Sequence, residues 1–301
     1  MRAAFDAPTA DFLRMMRAVY GAKQSARCWA DELADTLKRH GLDRSAVDPC
    51  IWYGANLLLA IFVDDIIITF AELAALEAVV HALQHEYRIT TEPDASLFVG
   101  LQIERRSDVL KLHQRTYLEE LVETTNMMQA RPRRTPMEAG TQLPKLARTE
   151  LTPTQHGQYR SMVGSLMYAA TMTRPDLSFA VGMLARHMHA PGNAHVRAAK
   201  HVLAYVASTL SLGITIAIPT TPLRNEQIKL LAFADADHAN DIEDRRSTSG
   251  YVIGLCGVPV EWRSDKQSLV AVSTAQAEYV ALCRCVERLR YIVCLLEGVI
   301  G

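Results

Sequence analysis

The chain has 301 residues, 49% of them hydrophobic, with 32 Lys and Arg against 33 Asp and Glu and a net charge of −1. That apolar content excludes wholesale disorder, and the charge balance excludes a global basic field, so a polyanionic partner would have to meet a local patch. The length corresponds to two domains, or three small ones. Six cysteines form no CxxC pair and no regular framework, which predicts free thiols in a reducing compartment. The longest aliphatic-aromatic run, Leu57–Val63, falls far short of the roughly 20 residues of a membrane span, and the N-terminus lacks a signal-peptide core. A soluble intracellular protein, cytoplasmic or nuclear, with no membrane partner is therefore expected.

In chain order, residues 18–40 read as a Gly-containing turn followed by an amphipathic helix. Trp29, Leu33 and Leu37 share one helical face, and Gly41 sits where a helix ends. Two short apolar runs follow, Asn56–Val63 and Ile66–Thr69, joined at Asp64-Asp65, and their β-branched content predicts a hairpin. Ala71–Tyr87 reads as a helix, and Leu97–Glu104 with Val109–His113 as a second hairpin. Arg131–Pro153, rich in Pro, Arg and Thr, reads as a linker. Two or three helices are expected over 157–211. From residue 228, IKLLAFAD is a strand ending in acid, STSGYVIGLCG and VPVEWRS a hairpin, and SLVAVS a further strand segment. Ser273 with Gln276 forms a capping box that opens a long final helix.

Three features carry chemistry. Two adjacent carboxylates in IFVDDIII repel each other unless a counter-charge is present, and a divalent cation such as Mg²⁺ supplies one. Paired ions held in this way stabilise attacking and leaving oxygens in phosphoryl transfer. The plainer alternative is a solvated turn, in which Asp is common. Asp235, ending a strand, and Glu278, in the first turns of a capped helix, form a second oxygen set, with a charged surface loop and a helix-end charge as its alternative. The third feature is an absence: residues 177–225 hold no Asp or Glu, where the chain average gives about five, yet keep Arg186, Arg197 and Lys200. This predicts a locally positive face able to track phosphates, against the alternative of a buried helical pair. His81 and His85 lack the acid of an HxxEH site and read as exposed, and Cys283 and Cys285 lack a second pair for zinc.

Five ordered blocks resemble the Pol polyprotein of copia-type LTR retrotransposons. They are AVYGAKQSARCW, IFVDDIIIT, LFVGLQIERR, YRSMVGSLMYAATMTRPDLSFAVGMLARHMHAP and FADADHANDIEDRRSTSGY through STAQAEYVAL. Phe62 replaces the usual Tyr of the YVDD box, and His238 stands where Trp is usual. The resemblance implies an α/β (α+β) chain in four parts: a partial reverse transcriptase palm over 1–130, a linker over 131–156, a helical thumb or connection over 157–225 and the start of a ribonuclease H-like mixed sheet over 226–301. It implies RNA-directed DNA synthesis with ribonuclease H activity, using two Mg²⁺ ions. Asp64 and Asp65 would be polymerase ligands, Asp235 and Glu278 ribonuclease H ligands, and Tyr20, Gly21 and Lys23 neighbours of the incoming nucleotide. Arg186, Arg197 and Lys200 would contact nucleic acid. The implied partners are an RNA template, RNA–DNA hybrid, dNTPs and other Pol fragments. The family's first polymerase Asp and its later ribonuclease H carboxylates have no counterpart in these blocks, so a chain truncated at both ends, catalytically incomplete, is expected. The alternative is a duplex-binding remnant without chemistry.

Overall fold

The computed structural model describes residues 19, 21–219, 221 and 227–300. They form two compact units, one ending at Glu92 and one spanning Pro93–Ile300.

The first helix among the described residues of the first unit is α1 (Ser25–Arg39), whose Leu33 and Leu37 are buried. It ends as its sequence predicts. Gly41 takes φ +77, its N–H reaches the Lys38 carbonyl, and the Leu42 N–H reaches the Leu37 carbonyl. These are the two bonds of a Schellman motif, with Leu42 buried as its hydrophobic contact. An antiparallel meander follows in the order β1 (Asp43–Arg44), β2 (Ile51–Gly54), β3 (Leu57–Phe62), β4 (Asp65–Phe70). The β3–β4 hairpin forms as expected, but its two-residue turn is Val63-Asp64, one residue earlier than the acidic pair, and Asp65 is already the first residue of β4. The two leading strands went unread because neither is long enough to show a period. Helix α2 (Leu73–Glu86) completes a core of Leu33, Leu37, Leu42, Trp52, Leu59, Val79 and Leu83.

The second unit opens with β5 (Leu97–Phe98), β6 (Leu101–Arg105) and β7 (Val109–His113). Leu97–Glu104 is thus not one strand: it folds back at Val99 and Gly100, with φ +50 and +76, and Phe98 pairs with Leu101. Positive φ at both central residues is the primed turn that matches strand twist. The sheet gains a fourth strand, β8 (Ile214–Ala217), about a hundred residues later in sequence, which pairs with β7. Between them lie helices α3 (Arg115–Thr124), α4 (Pro153–Met172), α5 (Ser178–Ala185) and α6 (Asn193–Ser208). Their shared core includes Leu118, Val122, Tyr159, Val163, Leu166, Leu184, Val202 and Leu203. A capping box between Thr152 and Gln155 starts α4.

Residues 131–152 contain no helix or strand, in keeping with their composition, yet they are pinned at several points. The Thr149 hydroxyl and Glu150 N–H both donate to the Pro191 carbonyl, and the Ser208 hydroxyl donates to that of Arg133. Met137 and Leu143 pack against the helical core.

A three-stranded antiparallel sheet, β11-β10-β9, follows from β9 (Leu230–Asp237), β10 (Thr248–Leu255) and β11 (Val258–Lys266). Helix α7 (Thr274–Ile300) packs on one face, where Cys285 meets Tyr251 and Ile253 with Leu230, Ala234, Leu289 and Ile292 alongside. SLVAVS forms no strand. No strand among the described residues pairs with it, Val272 is 88% exposed, and the segment instead turns into the α7 cap. The Gln276 N–H donates to the Ser273 hydroxyl, and the Gln276 side-chain oxygen accepts from the Val272 N–H.

Candidate active site

Register decides where the acidic pair points. Phe62 pairs with Asp65 and Ile61 with Ile66. Ile61 and Ile66 pack on the core, so strand alternation turns Asp65 and Phe62 to the opposite, open face. Asp64 and Asp65 are both exposed, and neither carboxylate has a hydrogen bond or ion pair among the described residues. The turn's positive φ falls on Val63, at +56, and not on either Asp. A β-branched residue in this region is a steric outlier. The turn is held from behind: the Trp29 indole N–H donates to the Val63 carbonyl at 2.8 Å. Trp29 packs edge-on against Tyr87 with ring centroids 5.1 Å apart, and the Tyr87 hydroxyl meets the buried Thr36 hydroxyl at 2.7 Å.

Of the expected nucleotide-binding residues, Tyr20 lies outside the described residues. Gly21 takes φ +88 in the turn before α1, with nothing within 4 Å of where a Cβ would stand. Lys23 is exposed in the same turn.

Asp235 lies on β9 opposite Gly250. Leu230 and Ala234 face α7, so alternation places Asp235 on the other face, with exposed Leu231 and Phe233. Glu278 is exposed on α7 beside buried Ala277. The start of α7 is anchored by Gln267, which is almost wholly buried. Its side-chain amide donates to the Ser249 hydroxyl and the Ala277 carbonyl, each at 2.9 Å. Sequence reasoning missed this anchor because a lone Gln in a polar run carries no periodic signal.

The acid-free helices divide the three expected phosphate contacts. Arg197 and Lys200 are exposed on α6 without partners among the described residues. Arg186 is partly buried, donates to the Thr248 hydroxyl at 3.2 Å, and lies in the field of Asp241, Asp244 and Asp265. Two of the window's histidines, His187 and His195, are drawn away from the charged form there. His195 is wholly buried and accepts from the Gly192 N–H, with the His187 ring 4.2 Å away. Burial, reinforced by that neighbour, pushes His187 down to about 4. His81 and His85 are exposed on α2, as expected.

Two carboxylates at a hairpin tip, free of cationic partners among the described residues, suit a hard oxygen-seeking cation. Mg²⁺ is commonly held by one or two carboxylates plus substrate phosphates. Among the described residues no group of three or more His, Cys, Asp and Glu is placed to hold a metal, at this tip or elsewhere.

An α/β chain presenting paired carboxylates on a strand-turn-strand is the class to which the comparisons also point. Residues 4–139 match the family model described as reverse transcriptase (RNA-dependent DNA polymerase). A retrovirus-related Pol polyprotein from transposon RE2 of Arabidopsis thaliana is 36% identical over 288 residues, covering 94% of this chain and 19% of that protein. The corresponding polyprotein from transposon TNT 1-94 of Nicotiana tabacum is 31% identical over 283 residues, 89% of this chain and 20% of the relative. An uncharacterized mitochondrial protein of Arabidopsis thaliana is 30% identical over 230 residues, 75% of this chain and 90% of its own length. The chain belongs to the reverse transcriptase-bearing Pol polyproteins of copia-type retrotransposons. It spans about a fifth of the length of the polyproteins it matches. No helix among the described residues is long and apolar enough to cross a membrane.

Proposed function

We propose that this chain is a segment of an RNA-directed DNA polymerase with ribonuclease H. In this reading the first unit is part of the palm, the α3–α6 helices a thumb or connection, and the β9–β11 sheet with α7 the start of a ribonuclease H-like domain. The observation that carries it is the pair of exposed carboxylates, Asp64 and Asp65, without partners among the described residues, at the β3–β4 hairpin turn. Asp64 and Asp65 would hold Mg²⁺ beside the template-primer; Asp235, on the sheet face turned away from α7, and Glu278, on α7, would each serve a site beside the RNA strand of a hybrid that other Pol segments complete. Bound there, Mg²⁺ supplies charge neutralisation for the phosphoryl group being transferred. Gly21, Lys23 and Tyr20 border the incoming dNTP in the same reading, with the Lys23 ammonium free to meet a phosphate.

In this reading the chain is catalytically incomplete by itself and depends on other Pol segments for the remaining oxygen ligands. The test is a gel with a labelled primer annealed to a labelled RNA template, Mg²⁺ and dNTPs. Little primer extension and little RNA shortening are expected from this chain alone. Both should rise when a longer Pol segment carrying Asp64→Asn or Asp235→Asn is supplied together with the wild-type chain. Extension by the chain alone that survives Asp64→Asn would overturn the assignment.

A second reading, duplex binding without chemistry, draws support from Arg197 and Lys200, exposed and without partners among the described residues on a helix in an acid-free window. It requires steeply salt-dependent binding to RNA–DNA duplex, with a slope that falls by about two when both residues become Ala. Salt-insensitive or absent binding would remove it.

A further inference from the structure

Trp29 and Val63 lie 34 residues apart, yet the Trp29 indole N–H donates to the Val63 carbonyl. Phe62 and Asp65 pair across the hairpin, so Val63 and Asp64 are the two central residues of the turn. Val63 has positive φ and Asp64 does not. Among two-residue hairpin turns, that sign pattern is type II′, whose first central position is usually Gly. The alternative is type I′, with positive φ at both central residues. The two differ chiefly by a flip of the peptide between them, and hence by the direction of the first residue's carbonyl. That carbonyl is the atom Trp29 holds. A flip would break the bond, move Asp64 to positive φ and re-aim its carboxylate.

We propose that Trp29 is a positioning residue for the acidic pair. Its indole N–H selects the II′ form of the turn and so sets the direction of Asp64 relative to Asp65. The inference rests on the reading of that pair as cation ligands. The strained Val63 backbone would relax unless restrained, and the restraint is itself braced. Tyr87 packs edge-on against the indole, Thr36 holds the Tyr87 hydroxyl, and Arg39 forms two hydrogen bonds to Glu86, which also accepts from Thr36. The turn is thereby tied to α1 and α2 through a contiguous set of packed and hydrogen-bonded side chains.

The experiment measures Mn²⁺ binding to the full chain from the loss of free Mn²⁺ signal in electron paramagnetic resonance. Wild type, Asp64→Asn and Trp29→Phe are compared; the last keeps a ring against Tyr87 and removes the donor. Saturable wild-type binding, lost in Asp64→Asn and weakened about three- to tenfold in Trp29→Phe with unchanged circular dichroism, is expected for one neutral hydrogen bond. Equal affinity in wild type and Trp29→Phe would overturn the positioning role and leave the carboxylate reading standing. No binding by wild type, or binding unchanged by Asp64→Asn, would overturn the carboxylate reading and the inference with it.

If Trp29→Phe fails to fold, hydrogen exchange of the Trp29 indole N–H in wild type decides the matter. Linkage is reciprocal, so a cation that prefers the II′ turn must strengthen the bond that selects it. Exchange slowed by Mg²⁺ in wild type and not in Asp64→Asn supports the role; exchange indifferent to Mg²⁺ overturns it.

Discussion

The guanidinium of Arg174, fully buried, forms a two-pronged pair with the carboxylate of Asp176, at 2.9 Å from Nε and 2.8 Å from Nη2. Its remaining N–H groups donate to the Thr209 carbonyl and hydroxyl, and the Tyr205 hydroxyl donates to Asp176 at 2.9 Å. The TRPD tetrapeptide is thus a structural clasp between the end of α4 and the end of α6. Removing one partner of such a pair strands a buried charge, so Arg174→Ala should destabilise the second unit by about 3–5 kcal/mol. A change in the urea unfolding free energy well under 1 kcal/mol would contradict this.

The same clasp responds to acid. Burial would raise the Asp176 carboxyl, but hydrogen bonds and charge from Arg174, with the Tyr205 hydroxyl, hold it below the ordinary range. A carboxylate depressed in the folded state contributes stability above its unfolded pKa, and that contribution is lost as pH falls through the folded value. Asp241, brought down to about 2 against its burial by Lys266 and two backbone N–H groups, behaves likewise. The stability lost from pH 5 to pH 2 should therefore shrink in Asp176→Asn, a variant already less stable at pH 7. Thermal melts at each pH measure this.

His187 titrates in a different window. Burial and the adjacent His195 ring lower it from 6.5 to about 4, so the folded protein keeps it neutral where the unfolded chain is protonated. Its contribution is fully present above pH 6.5 and declines as pH falls toward 4. In His187→Phe that decline should be absent, and the His187 ring resonance in wild type should move with a midpoint near 4. A midpoint above 6 would refute the burial argument.

Gly100 and Tyr168 belong to two of the sequence blocks and meet in the structure. The Tyr168 hydroxyl donates to the Val99 carbonyl at 3.2 Å, and a Cβ on Gly100 would lie 2.5 Å from that hydroxyl. With φ +76 as well, Gly100→Ala should cost about 1–3 kcal/mol. Tyr168→Phe removes the clashing oxygen, so the double variant should be less destabilised than the sum of the two singles. Strict additivity would show that the contact does not matter.

Gln267→Leu should loosen α7 at its start. The buried amide spans the Ser249 hydroxyl and the Ala277 carbonyl, while the Gln267 backbone N–H donates to Ser247. Its loss costs about 1–2 kcal/mol and should raise amide exchange around Ala277 and Glu278 while leaving β6 and β7 protected. Uniform deprotection across the second unit would instead indicate global destabilisation.

Local chemistry made much of this protein legible. The 3.6-residue spacing of Trp29, Leu33 and Leu37 marked α1, Gly41 marked its end, and the β-branched runs around Asp64-Asp65 marked a hairpin with its acids at the tip. Motif order marked the family. Each of these depends on neighbours within a few residues, where backbone sterics and side-chain alternation act. Tertiary structure alone decided the rest. It broke Leu97–Glu104 at Val99 and Gly100, where the Tyr168 hydroxyl crosses, and it left SLVAVS without a strand to pair with. It withdrew Arg186 toward Thr248 and a cluster of acids while leaving Arg197 and Lys200 in solvent. It also set Trp29 behind Val63, 34 residues away. Burial and long-range hydrogen bonds depend on which surfaces meet, and no pattern local to either partner encodes that.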